Sequence, residues 1–141
     1  MDEQALRHFF RNDRFAELVG IELLEAAPGR ARAQLEIDGR HLNAVGVAHG
    51  AAIFSLADLV FAVASNSHGN IALGINVSVS FLKAAGTGTL IAEAEEVAAN
   101  PRLATYLIRV RDDRGELIAL MQGTVYRKRE TLAEMTPGSV D

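Results

Sequence analysis

From about residue 50 to residue 67 the chain contains the run AAIFSLADLVFAVASNS, rich in Ala, Leu and Phe and free of Gly and Pro. A run of this kind is helical. Gly69, just past its end, supplies the residue that tolerates the left-handed backbone where helices stop. A surface helix carries an apolar stripe and a polar face. Here Ala51, Ile53, Phe54, Leu56, Leu59, Val60, Phe61 and Val63 cover most directions around the axis. The helix must therefore be enclosed, and this demand dictates what the rest of the chain does.

The enclosing material reads as strands. After the helix the period changes to two. In 71–83, Ile75, Val77, Val79 and Phe81 alternate with Asn76, Ser78 and Ser80. In 89–99, Leu90, Ala92 and Ala94 oppose Ile91, Glu93 and Glu95, and Leu103–Arg111 is rich in β-formers. Asp113-Arg114-Gly115 turns that stretch into 116–127. Ahead of the helix, 21–27 and Arg30–Ile37 flank Pro28-Gly29. Pro fixes the first dihedral of a type II turn and Gly accepts the positive second one, so these two form a hairpin. Short Gly-containing turns join antiparallel neighbours. The expectation is an α+β fold, an antiparallel sheet of about six strands around one long central helix. A short amphipathic helix over 3–18 precedes it, with Leu6, Phe9, Phe10, Phe15 and Leu18 apolar. Residues 1–141 make one domain, and about 129–141, with Pro137 and Gly138, read as a loose tail.

Composition narrows the function. An apolar fraction of 49% is ample for a core. A net charge of −4 offers no footprint for nucleic acid. The absence of cysteine excludes disulfides, thiolate nucleophiles and Cys-based metal sites. His41 and His49 have no metal-ligand spacing and no carboxylate cluster beside them, so no metal site is expected. The start MDEQALRHFF lacks a basic lead-in to an apolar run, so no signal peptide is expected. The longest apolar stretch, 53–64, is too short for a bilayer and is interrupted by Ser55 and Asp58. A cytoplasmic protein without membrane contact is the expectation.

Asp58 is the one ionisable side chain in the central run, and Ser55 and Ser65 fall on about its side of the helix. A carboxylate in apolar surroundings is costly unless paired, hydrogen-bonded or protonated. It is either a structural Asp bonded to nearby hydroxyls or a carboxylate held for base or nucleophile work. The helix opens on His49-Gly50-Ala51, small residues that let a ligand approach the unpaired backbone N–H groups. Such a terminus stabilises negative charge, including the oxyanion of an attacked carbonyl. Asp58 follows Gly50 by eight positions, which along a straight helix is about 12 Å. One carbonyl cannot reach both. A two-fold dimer in which Gly50 of one subunit faces Asp58 of the other solves the geometry and gives two equal sites.

Asn43, five residues, His49-Gly50-Ala51, then Asp58 and Ala64-Ser65-Asn66-Ser67 together resemble the hotdog-fold acyl-CoA thioesterases, most closely the phenylacetate-degradation (PaaI-type) branch. The stretches 105–110 and 122–126 resemble that family's last two strands, so the likeness runs from about residue 15 to 128. It implies hydrolysis of an aryl or short- to medium-chain acyl-CoA to free acid and CoA, without metal or cofactor, in a dimer of dimers. Carried over by position, Asp58 is the catalytic carboxylate, attacking directly or activating water. The Gly50 N–H is the oxyanion donor, and Asn43 and His49 orient the thioester or the water. His49 alone reads equally as a helix cap, and Asn43 as a local turn. Two departures stand out. Ala51 replaces the family's usual second Gly and adds a methyl near the oxyanion site. Ala62, one turn after Asp58, is not the Thr of the Glu-type branch, which leaves Ser65 as the candidate hydroxyl. Lys83, Arg102 and Arg127 are candidates for the CoA phosphates, or else solvated strand-end charges. Two rival functions share the scaffold: an enoyl-CoA hydratase or dehydratase, and a non-catalytic acyl-CoA-binding module.

Overall fold

The computed structural model describes residues 1–135. Two short helices, α1 (Glu3–Phe10) and α2 (Arg14–Val19), lead into the hairpin β1 (Glu22–Ala27) and β2 (Arg30–Ile37). The long helix α3 (Gly50–Asn66) follows, then β3 (Asn70–Phe81), β4 (Gly88–Ala99), β5 (Leu103–Arg111) and β6 (Leu117–Thr131). The six strands form one antiparallel sheet in the order β1-β2-β4-β5-β6-β3. After α3 the chain crosses to the far edge, so β3 pairs only with β6. The sheet curls around α3, and Leu56, Val60, Val63 and Ala64 of the helix are fully buried against Leu35, Leu90, Ile108 and Ile118. Among the described residues no helix is long and apolar enough to cross a membrane.

Close approach of α3 to the sheet is made possible by two glycines. Phe61 is 3% exposed, and a Cβ on Gly123 would lie 2.6 Å from its ring while one on Gly74 would lie 3.1 Å away. Strand glycines mark this kind of backbone approach. The ring also meets Tyr106 edge-on, with centroids 5.9 Å apart. Tyr106 in turn donates to Glu96 Oε1 at 2.6 Å, a contact shared by His68 at 3.0 Å and Arg127 at 2.9 Å. Burial opposes the Glu96 charge, yet those donors hold its carboxyl below the usual range. Burial, then the Glu96 bond, pushes the Tyr106 phenol well up. Past the end of α3, Asn66 bonds both backbone groups of Ala72, at 2.9 Å to its N–H and 3.2 Å to its carbonyl, and so fixes the start of β3. Gly69 has φ +96°, a left-handed conformation that favours Gly.

Four details depart from the sequence reading. The helix expected over 3–18 is two helices, because Asp13 breaks it and caps the second by accepting from Ala16 N–H at 3.0 Å. Phe15 and Leu18 consequently point outward, 62% and 69% exposed. Second, α3 is not wholly enclosed: Ala51 and Asp58 are exposed and Phe54, Ser55 and Ala62 are half-buried, so one stripe stays open. Third, β6 continues to Thr131 and Leu132 is buried, so the tail does not begin at 129. Pro137 and Gly138 lie outside the described residues. Fourth, β3 carries an irregularity between Gly74 and Asn76. Its residues Ile75, Val77 and Phe81, the apolar side of the alternation, remain 59%, 41% and 52% exposed along the free edge.

Candidate functional site

The loop between β2 and α3 is built around its own polar side chains. Asp38 caps the turn Gly39–His41 and donates its N–H to His41 Nδ1 at 3.0 Å. The other ring nitrogen of His41 then donates to Val19 O at 2.7 Å, so this 5% exposed imidazole ties the loop to α2. Asn43 Oδ1 accepts from the N–H groups of Val45 and Val47, at 3.0 and 3.2 Å. Asn43 therefore shapes the turn 43–47, and only its amide NH2 is left for other use. His49 N–H donates to His41 O at 2.7 Å and Ala48 N–H to Ala85 O at 2.6 Å, which pins the loop just before the helix.

At the helix start His49 is the cap, its Nδ1 accepting from Ala51 N–H at 2.9 Å. Ala52 and Ile53 N–H both donate to His49 O. Gly50 N–H alone among these has no partner among the described residues. It is an orphan donor at the positive end of a 17-residue helix. A Cβ on Gly50 would lie 3.3 Å from the Phe81 ring, so small size here keeps the donor reachable.

Asp58 lies two turns further along, on the open stripe rather than within an apolar cylinder. It has no hydrogen bond or ion pair among the described residues. It lines a dent of about 320 Å³ with Asp13, Phe15, Phe54, Ser55 and Leu59. Although its outer surface meets solvent, burial of the carboxyl raises its pKa above the ordinary 3.8, and the nearby Asp13 charge raises it further. A second cavity of about 430 Å³ adjoins it, lined by Leu18, Leu42, His49 and Ala52 and sharing Phe15, Ala51 and Ser55 with the first. Helix α3 thus holds an unpaired donor at its start and, two turns away on the open stripe, a carboxylate whose pKa burial raises. Apolar space lies beside that carboxylate and beside His49 and Ala51, the neighbours of the donor.

Of the site residues read from sequence, Asn43, His49, Gly50, Ala51 and Asp58 all lie on this loop and open stripe. Ser65 does not join them: it is 2% exposed and donates to Ala62 O at 3.2 Å. Ser55 is the hydroxyl beside Asp58, though it donates to Ala51 O at 2.6 Å. Lys83 is ion-paired with Glu116. Arg102 bonds Arg127 O at 3.0 Å, and Arg127 belongs to the Glu96 cluster near the other end of α3. Among the described residues no three His, Asp or Glu side chains gather as metal ligands. The sequence reading did not single out Asp13 or α2. The available signal was Asn12-Asp13 followed by Arg14 and the apolar Phe15, a helix-start pattern inside what read as one helix.

Known proteins resemble this chain in sequence and fold. The pattern that defines the thioesterase superfamily matches residues 45–119, a span holding the whole of α3. A candidate esterase of Archaeoglobus fulgidus is 47% identical over 131 residues, covering 92% of this chain and 85% of that protein. The acyl-coenzyme A thioesterase PaaI of Escherichia coli K12 is 30% identical over 84% of this chain and 85% of its own. The solved structure of E. coli PaaI superposes with a TM-score of 0.87, covering 91% of this chain and 94% of that one at 29% identity. That of a variant of the phenylacetic acid degradation protein PaaI from Thermus thermophilus gives 0.78 at 38% identity, over 81% of this chain and 98% of the other.

Proposed function

The chain belongs to the thioesterase superfamily, in its PaaI-type hotdog branch, and from that premise we propose that it hydrolyses an acyl-CoA thioester to the free acid and CoA. The acyl group is aryl or short- to medium-chain. The single observation that carries the reading is Asp58, a carboxylate without a hydrogen-bond partner among the described residues, on the open side of the helix that begins with the orphan Gly50 N–H.

In the proposed reaction the thioester carbonyl oxygen rests on Gly50 N–H. Negative charge grows on that oxygen as the carbonyl is attacked, and the fixed donor stabilises it more than the neutral ground state. Asp58 either attacks the carbonyl carbon, giving an anhydride that water then opens, or takes a proton from the attacking water. The CoA thiolate leaves and is protonated. A carboxyl pKa raised by burial suits both roles, because the ionised form is then a stronger base and nucleophile than an ordinary surface carboxylate. No cofactor enters this scheme, since CoA is part of the substrate.

The site is shared between two copies in this reading. Gly50 and Asp58 of one chain are about 12 Å apart along α3, whereas both must approach one carbonyl within roughly 3–3.5 Å. The free edge of β3 supports the pairing. It is 12 residues long and leaves Ile75, Val77 and Phe81 uncovered, an edge that invites strand addition from an identical copy. Two such dimers would join through the outer sheet face, where Leu73, Tyr126 and Leu103 form an exposed apolar row across β3, β6 and β5. A hydratase would set a His and a carboxylate across one substrate carbon. The use of His49 Nδ1 as a helix cap counts against that alternative. Free-thiol release over an acyl-CoA panel tests the proposal with wild type and Asp58→Asn. Loss of activity in the variant is expected, and full retention refutes the mechanism.

A further inference from the structure

The feature the mechanism leaves unused is α2. It is only six residues long, yet it turns two large apolar side chains outward, Phe15 at 62% and Leu18 at 69% exposure, three positions apart on one stripe. They are not stray surface residues. Both line the 430 Å³ cavity whose walls also include Leu42, Ala52, the capping His49 and Arg40. Phe15 also lines the dent that holds Asp58. Its side chain therefore stands where the two spaces adjoin, with Ala51 and Ser55 as the other shared wall.

This helix is fastened to the loop that carries the site. Arg40 donates to Leu18 O at 3.2 Å and His41 to Val19 O at 2.7 Å. Arg40 is itself held by Asp38 at 3.1 Å. The next residue, Gly20, has φ +94°, and a Cβ there would lie 2.6 Å from the Arg40 guanidinium. Only glycine both takes this backbone and leaves room for the clamp. Four residues thus hold α2 beside the open stripe of α3, so that Phe15 has a fixed position relative to Asp58. A pocket with apolar walls and few polar groups, at the scale of roughly 300–1,000 Å³, is what a small apolar moiety needs.

Resting on the acyl-CoA reading above, we infer that α2 is the acyl wall of the site and that Phe15 decides which acyl groups the enzyme accepts. A compact acyl group, short or aryl, fits in the dent beside Asp58 and packs against the Phe15 ring. A long unbranched chain must pass the ring to reach the second cavity. Phe15 touches the substrate's apolar portion and takes no part in bond making. Its effect is on the ratio of kcat/KM between acyl groups.

The experiment measures kcat/KM for butyryl-, phenylacetyl- and octanoyl-CoA with wild type, Phe15→Ala, Phe15→Trp and Asp58→Asn, together with the sedimentation coefficient of each. Phe15 is mostly exposed, so neither replacement disturbs the core. Phe15→Ala is expected to raise the octanoyl-to-butyryl ratio roughly tenfold, the scale of pocket discrimination by shape. Phe15→Trp is expected to lower it, with sedimentation unchanged. The inference is overturned if wild type is active, Asp58→Asn is not, and both Phe15 variants keep the ratio within about twofold of wild type. It is equally overturned if Phe15→Ala changes the assembly and leaves the ratio alone, for then the patch is an interface between copies. Wild type that releases no thiol from any of the three refutes the thioesterase reading, and the inference with it.

Discussion

If each site takes Gly50 from one protomer and Asp58 from the other, two inactive variants should repair each other. Asp58→Asn removes the carboxylate. Gly50→Pro removes only the oxyanion N–H, and the local structure accepts it. Gly50 is the first residue of α3, where proline is well tolerated because that N–H has no partner in the helix. His49 before it has φ −63° and ψ 139°, the extended conformation that a residue preceding proline adopts. The new Cβ would lie 3.3 Å from Phe81, whose ring is 52% exposed and free to give way. Loss of one oxyanion donor costs on the order of 100- to 1,000-fold in kcat, so each variant alone is nearly silent. Co-expressed in equal amounts, they associate as about one half heterodimer, and each heterodimer has one site with both defects and one intact site. The mixture should therefore recover about a quarter of wild-type activity, and heterodimers isolated on two different tags about a half. The assay is thiol release from the best acyl-CoA substrate. If the mixture stays at the level of the separate variants, both groups act within one chain, and the argument from the 12 Å spacing fails.

Three further predictions concern single residues. Asp13→Asn keeps the cap of α2, since Asn caps as well as Asp, but removes the charge that helps to raise the Asp58 pKa. The acid limb of the kcat/KM profile should move to lower pH, and an unmoved limb refutes the link. Because the folded Asp58 pKa lies above its ordinary 3.8, ionising it disfavours the fold. That cost is present in full above the folded pKa and absent below 3.8. Asp58→Asn should raise Tm at pH 7 by an amount that vanishes in acid, and a lower Tm at pH 7 would contradict this. Gly123→Ala places a methyl 2.6 to 3.0 Å from three atoms of the Phe61 ring. Urea unfolding should show a loss of about 1–3 kcal/mol. Adding Phe61→Leu should recover part of it, whereas strictly additive losses would show that the two residues do not compete for space.

Much of the fold was legible because its signals are local. The period of two in 71–83 and 89–99, the β-formers of Leu103–Arg111, and the run without Gly or Pro in α3 each arise within a few residues. The strands and helix follow from them with ends shifted by a residue or two, except where β6 runs on to Thr131. Asp13 was hidden because a capping side chain competes with an amphipathic pattern that continues on both sides of it. Phe15 and Leu18 read as part of the apolar stripe of one helix, and hydrophobicity says that a residue seeks cover without saying what covers it. The same ambiguity affects Ile75, Val77 and Phe81, which alternate like a buried strand face and lie along a free edge. Asn43 and His49 were visible by type, but only the hydrogen bonds assign Asn43 Oδ1 to its turn and His49 Nδ1 to the cap.

The sequence by itself determined that one apolar helix would be wrapped by an antiparallel sheet, because no other arrangement removes so many directions of that helix from water. It also determined that Gly50 and Asp58 stand too far apart on one helix to share a carbonyl, because helical rise is fixed by backbone geometry. Only the tertiary structure decided that Asp58 lies on the uncovered stripe, that Asp13 stands near it, and that α2 is clamped beside both. Those facts depend on which side of α3 the sheet leaves open and on how β3 crosses to the far edge. Such long-range packing choices leave no periodic trace in the chain.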